Sequence, residues 1–159
     1  MFSIGDNVVY PMHGAGTIEA IEEREEMGEK CVYYVLLIPQ NGIRIKVPCN
    51  RASDVGVRCI IGKSEIRIVN KTLGGKSTEM AKVWNRRYRD NLEKLKTGKI
   101  VNVAEVVRDL MRVDNEKRLS TGEKKMLSNA KQILVSELML ACGMGEAELT
   151  AQIEKVVMA

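Results

Sequence analysis

Residues 31–47 read Cys-Val-Tyr-Tyr-Val-Leu-Leu-Ile-Pro-Gln-Asn-Gly-Ile-Arg-Ile-Lys-Val, and this stretch decides the first half of the fold. Cys31 to Ile38 is a nearly continuous apolar run, the pattern of a central strand covered on both faces. Pro39 to Gly42 supplies an Asn-Gly turn, because glycine enters positive φ without a Cβ clash. Ile43 to Val47 then alternates apolar and basic side chains, which places Arg44 and Lys46 together on a solvent face. One hairpin is too little to stand alone in water, so further strands are expected on both sides.

Upstream, Asn7 to Pro11 is β-branched and stopped by proline, and His13 to Gly16 is a turn. Gly16 to Ile21 resumes in period two, with Ile18 and Ala20 on one face and Thr17, Glu19 and Ile21 on the other. An acidic stretch from Glu22 surrounds Arg24 and turns at Met27-Gly28-Glu29. Downstream, Val55 to Ile61 is a last short strand. Four or five short strands with tight turns within about 60 residues predict a small, strongly curved barrel of SH3 or Tudor type. From Gly62 the apolar period changes to about 3.6. Residues 64–73 form a short helix in this reading, and Leu73 to Ser77, with two glycines, a hinge between domains. Ser77 or Thr78 caps a helix that runs to about Thr97 and stops at Gly98. Asn102-x-x-Glu105 and Ser120-x-x-Glu123 read as capping boxes opening helices 103–117 and 121–141, and 144–158 makes a last helix. The fold class is therefore α+β: a barrel over 1–62, a short helix and hinge over 63–76, and an all-α helical bundle over 77–159.

Charge is distributed unevenly between these parts. Residues 1–75 are neutral overall and 100–159 carry net −1, whereas 76–99 carry eight basic and three acidic residues against a formal total of +4. That basic segment holds the only tryptophan, Trp84. Cations for phosphates plus a large flat ring that can stack or wedge is the combination a nucleic-acid contact needs. On a helical wheel Trp84 lines up with Met80, Tyr88, Leu92 and Leu95, while Lys82, Arg86, Arg89 and Lys96 lie opposite and Arg87 and Lys94 flank the stripe. Two readings follow. Either Trp84 packs in the core above a solvated face, or the stripe outruns the bundle and leaves the indole bare. A merely solvated face should mix both signs, and this one is largely positive.

Other classes of function find little support. Four cysteines far apart, without a Cys-x-x-Cys pair, read as reduced thiols. His13 is the only histidine and a turn residue, so no metal site is expected. No phosphate loop, nucleophile elbow or defensible acid/base pair is present, so neither an enzyme nor a bound cofactor is expected. There is no signal-like leader and no apolar run near the roughly 18 residues of a membrane span. A soluble, cytoplasmic, monomeric protein without a membrane partner is the expectation. Arg24, Arg44 and Lys46 on the small sheet are either surface solubility or a docking edge.

Long stretches in order resemble the CarD/CdnL group of bacterial transcription regulators. They are Gly5–Ile18, Val55–Arg58, Trp84–Leu95, Val103–Leu110, Leu119–Leu127 and Gln132–Leu138. The resemblance implies a Tudor-like domain that docks on the β subunit of RNA polymerase, and a helical domain that touches promoter DNA at the upstream edge of the melted bubble. It implies that Trp84 wedges into the minor groove there, stabilising the open complex with little sequence specificity. By the same resemblance Arg86, Arg87 and Arg89 contact the DNA backbone, and Arg24 lies at the polymerase interface. Lys46 stands where similar proteins often have arginine, which keeps the charge but loses bidentate geometry. Lys99 occupies a place where relatives commonly carry an acid, and the tail after Cys142 resembles the family least. The residues themselves leave two alternatives open: an RNA- or ribosome-binding module, and a protein-interaction adaptor with a buried tryptophan.

Overall fold

A computed structural model describes residues 1–159. Five strands form one antiparallel sheet: β1 (Asn7–Tyr10), β2 (Gly14–Glu26), β3 (Glu29–Ile38), β4 (Ile43–Pro48) and β5 (Arg58–Cys59), in the order β4-β3-β2-β1-β5. The sheet is not closed, since β4 and β5 are its two edges. Val8, Ile18, Tyr34, Leu36, Val47 and Ala52 form its core. β3 is an interior strand, as expected from its apolar run, but the middle of the sheet is the longer β2. The acidic stretch after Ile21 continues β2 as far as Glu26 and then turns, as expected. It closes on Met27 and Gly28, both at positive φ (50° and 80°), the two-residue turn that matches strand twist. A bulge at Glu19, between Ile18 and Ala20, breaks the expected alternation and leaves Ile21 exposed.

Five helices follow: α1 (Lys63–Leu73), α2 (Trp84–Lys96), α3 (Ile100–Lys117), α4 (Thr121–Cys142) and α5 (Glu146–Met158). α3 is the pillar, with Val103, Ala104, Val106, Val107 and Leu110 buried on several sides of the helix. The Ser120 box forms: Ser120 Oγ accepts from the Glu123 amide at 3.3 Å. Gly143, left-handed at φ 71°, ends α4 by donating to the Met139 carbonyl.

Three expectations are corrected. First, Ser77 and Thr78 cap nothing. The chain stays extended to Val83, because the Thr78 amide donates to Asp109 Oδ1 (3.1 Å) and its hydroxyl accepts from Arg108 Nη2 (3.0 Å). Buried charges on α3 capture the very groups that would have started a helix. Second, Asn102 lies inside α3, whose start is set one turn earlier. The Thr97 hydroxyl accepts from the Lys99 amide and from Asn102 Nδ2, and Glu105 turns to Lys94. Third, the Gly74-Gly75 segment is no hinge between domains. Val69 and Leu73 of α1 belong to the bundle core. Arg112 donates to the Gly75 carbonyl (2.7 Å) and Ser77 Oγ (2.8 Å), and Arg108 to the Thr72 carbonyl (2.8 Å). The segment is a strap within the helical part, and the sheet joins the bundle near Ile60 to Gly62.

Candidate nucleic-acid interface

α2 has two very different ends. At its start Trp84 is 56% exposed and Val83 beside it 62% exposed, so two large apolar side chains stand in solvent side by side. The bundle takes up the stripe only from the next turn, where Arg87, Asn91 and Leu95 are buried and Tyr88 and Leu92 half-buried. An adaptor with a buried tryptophan is thereby ruled out. Val83 offers no capping side chain, and the first turn holds no acid. The Arg86 amide is met by Asn85 Oδ1 (2.9 Å), but the amides of Trp84 and Asn85 make no hydrogen bond within the protein. An undamped helix N-terminus with free amides favours an anion.

Of the eight cations in residues 76–99, five make no ion pair: Lys76, Lys82, Arg86, Arg89 and Lys99. All five are exposed. Arg86 and Arg89 are thus exposed and unpaired on the first turns of the helix that carries the indole. Arg87 is not. It is only 9% exposed, and its Nε and Nη2 reach the two Glu123 oxygens at 2.6 and 2.7 Å. Glu123 also accepts from the Ser120 hydroxyl (3.0 Å). Burial by itself would raise the Glu123 pKa, but the bonds from Arg87 and Ser120 outweigh it and hold the carboxyl below its ordinary range. The bond to Glu123 raises the Arg87 pKa in turn, against the lowering effect of burial. A guanidinium in this fork is not available to a phosphate. Its role is to fasten the first turn of α2 to the first turn of α4, so that Trp84 is presented from a fixed support.

The sequence carried a sign of this. Arg87 flanks the apolar stripe, on the same side as Asn91 and four residues before it, and Glu123 sits in a capping box. Val83 was missed because the helix was expected to start well before it. Arg118, Lys124 and Lys125 are further exposed cations around the start of α4, the helix that the Arg87–Glu123 fork fastens to α2. The negative charge of residues 100–159 as a whole concealed them.

The cations of the sheet are arranged differently. Arg44 pairs with Glu19 across the strands, and Lys46 with Glu22 at 3.0 Å. Arg24 is exposed on β2 and makes no ion pair. Strand register puts it on the same sheet face as Lys46. His13 is a turn residue, its ring 4.4 Å from that of Tyr10 and its carbonyl accepting from Gln132. The four cysteines are free thiols, and burial raises the pKa of Cys142. No helix is long and apolar enough to cross a membrane.

A small sheet joined to a helical bundle that bares an indole among unpaired cations has the make-up of a macromolecule-binding protein. Comparison with known proteins narrows that class. Residues 2–61 match the family described as CarD-like/TRCF RID domain, and residues 68–154 match CarD, C-terminal domain. The chain is 42% identical over 149 residues to the Bacillus subtilis (strain 168) protein called "Putative transcription factor YdeB", covering 94% of this chain and 97% of that protein. The chain belongs to the CarD family.

Proposed function

We propose that this protein is a transcription regulator, not an enzyme, that works in the cytoplasm as a monomer without metal or cofactor. Its sheet domain docks on the β subunit of RNA polymerase. Its helical domain holds Trp84 against promoter DNA at the upstream edge of the melted bubble. The observation that carries the reading is the bare Val83–Trp84 tip, set at a helix N-terminus with free amides, within a few residues of the exposed, unpaired Lys82, Arg86 and Arg89.

The chemistry follows from that tip. Arg86, Arg89 and the two free amides meet phosphates, which fixes position without reading bases. The indole enters the minor groove at the fork and occupies space that the closed duplex would need. Only an interaction stronger in the open state can shift the equilibrium toward it. Sequence preference is slight, since the minor groove carries a degenerate pattern. On the sheet, Arg24 has no internal partner to give up on docking, whereas Lys46 must first release Glu22; Arg24 is therefore the stronger polymerase contact of the two. Anchoring the sheet makes the weak DNA contact effectively intramolecular.

The test is the lifetime of open promoter complexes formed by RNA polymerase with the full chain or its Trp84→Ala variant. A fall of about tenfold, equivalent to about 1.4 kcal/mol, is expected with polymerase binding unchanged. Equal lifetimes would sink the wedge. An RNA-binding module would instead prefer a structured RNA over a forked DNA duplex in direct competition.

A further inference from the structure

The end of α2 opposite Trp84 is bound to the sheet. Arg58, on edge strand β5, is held in register with Val9 of β1. All five of its N–H donors are engaged. Nε and Nη2 donate to the Gly98 carbonyl at 2.9 and 2.8 Å, Nη1 and Nη2 donate to the two Glu137 oxygens at 2.8 Å each, and Nη1 donates again to the Cys59 carbonyl. Glu137, on α4, is 1% exposed and also accepts from the Ile61 amide at 2.9 Å. Gly98 follows the last turn of α2, so Arg58 sets a cation on that helix's negative end. Gly98 itself lies against the sheet: a Cβ there would come within 2.9 Å of Pro11 Cγ, and its φ of 71° already favours glycine. A second set of contacts runs alongside, with the Ala15 amide donating to Ser136 Oγ at 2.9 Å.

We propose that Arg58 is a positioning residue through which the sheet aims Trp84, by clamping the Gly98 end of α2 and Glu137 of α4 in one guanidinium fork. The inference rests on the reading given under Proposed function. From Trp84 to Lys96, α2 is a rod of 13 residues, about 20 Å long at 1.5 Å per residue. Because the Arg87–Glu123 fork holds α2 to α4, the rod moves with the bundle. Tilting the bundle by about 10° against the sheet about the clamp would move the indole by about 3.5 Å, which is one base step of about 3.4 Å. The polymerase anchor is on one side of Arg58 and the wedge is on the other. A loose clamp leaves each contact intact and spoils their joint register.

The experiment uses the full chain with two variants. Arg58→Lys keeps a charge for Glu137 but cannot reach both acceptors in a fork. Arg58→Met combined with Glu137→Gln removes the clamp without stranding a buried charge. Separate binding to RNA polymerase and to forked DNA is measured first, then open-complex lifetime and fluorescence on a promoter carrying 2-aminopurine at successive positions of the upstream bubble edge. Binding to polymerase, and binding of the free protein to forked DNA, should stay within about twofold of wild type for both variants. Open-complex lifetime should fall about tenfold, and the 2-aminopurine signal should spread from one step to its neighbours. NMR relaxation should show sheet and bundle tumbling as one body in wild type and separately in the double variant. Unchanged lifetime and signal, or loss of either separate binding step, would overturn the proposal. Trp84→Ala run in parallel separates the two readings. If it too behaves as wild type, the wedge fails and this inference with it; if it alone fails to sustain open complexes, only the clamp is wrong.

Discussion

Lysines and arginines project from both the sheet and α2, but strand β4 and the start of α2 hold theirs in different states. Arg24 of β2 is unpaired, and Lys94 and Lys96 at the far end of α2 are paired. On β4, Arg44 and Lys46 are each matched by a glutamate of β2. Around α2, Lys82, Arg86 and Arg89 have no partner, and the one arginine that does, Arg87, is inside the bundle. Counting charge along the chain separates neutral from basic segments. It does not tell a free cation from one held in a fork. An exposed pair contributes about 0–1 kcal/mol to stability, whereas a buried pair broken on one side costs several. The same residue type therefore serves recognition in one place and rigidity in another.

Several outcomes would break or sharpen that contrast, and the largest concerns where the bundle begins. A fragment starting at Gly62 keeps α1, while one starting at Lys76 loses Val69 and Leu73, both fully buried. At about 1.5–3 kcal/mol for each side chain, the shorter fragment should lack a cooperative thermal transition and the longer one should show it; equal melting would restore the hinge reading. Next is Glu123→Ala, which leaves Arg87 buried and alone and should destabilise the full chain by about 3–5 kcal/mol in urea unfolding. A loss below about 1 kcal/mol would mean that the guanidinium finds solvent easily. The pair also predicts a pH dependence. Since the folded Glu123 carboxyl titrates below its ordinary value, its contribution is whole above the unfolded value of about 4.3 and fades as pH falls through the folded one. Wild type should lose stability below about pH 4 more steeply than the Glu123→Ala protein.

Effects on DNA come next in size. Arg86→Ala and Arg89→Ala should each lower the slope of log K against log salt by about 0.9 on a forked duplex, while Arg44→Ala leaves it alone. Identical slopes for all three would erase the distinction drawn here. Trp84 fluorescence should be quenched readily by acrylamide in the free protein and protected on forked DNA. Smallest of all, Arg44→Ala should shift stability by no more than about 0.5 kcal/mol; a larger change would show the sheet's pairs to be structural after all.

Much of this was legible residue by residue. The turns at Gly28 and Gly42, the stop at Gly98 and the cap at Ser120 are local events, each settled by neighbours within a few positions, and each lies where expected or within a residue or two of it. Asn102 was misread within a local competition, its side chain donating to Thr97 five positions back. Ser77 and Thr78 were misread for the opposite reason: their polar groups had a local role available and distant partners that were better placed, Arg108 and Asp109 for Thr78 and Arg112 for Ser77. Arg87 belongs with them, because Glu123 lies 36 positions away along the chain.

The sequence by itself determined the strand and helix content, the concentration of positive charge in 76–99 and the place of the single tryptophan at its centre. Those properties depend on periodicity, composition and short-range turn chemistry. Tertiary structure alone decided that Trp84 stands in water while Arg87 does not, and that the strap at Gly75 is fastened. It also decided that Arg58 ties the sheet to the Gly98 end of α2. Each of these is a competition between partners far apart in the chain, and its outcome depends on which buried charge finds its counterpart once the helices have packed.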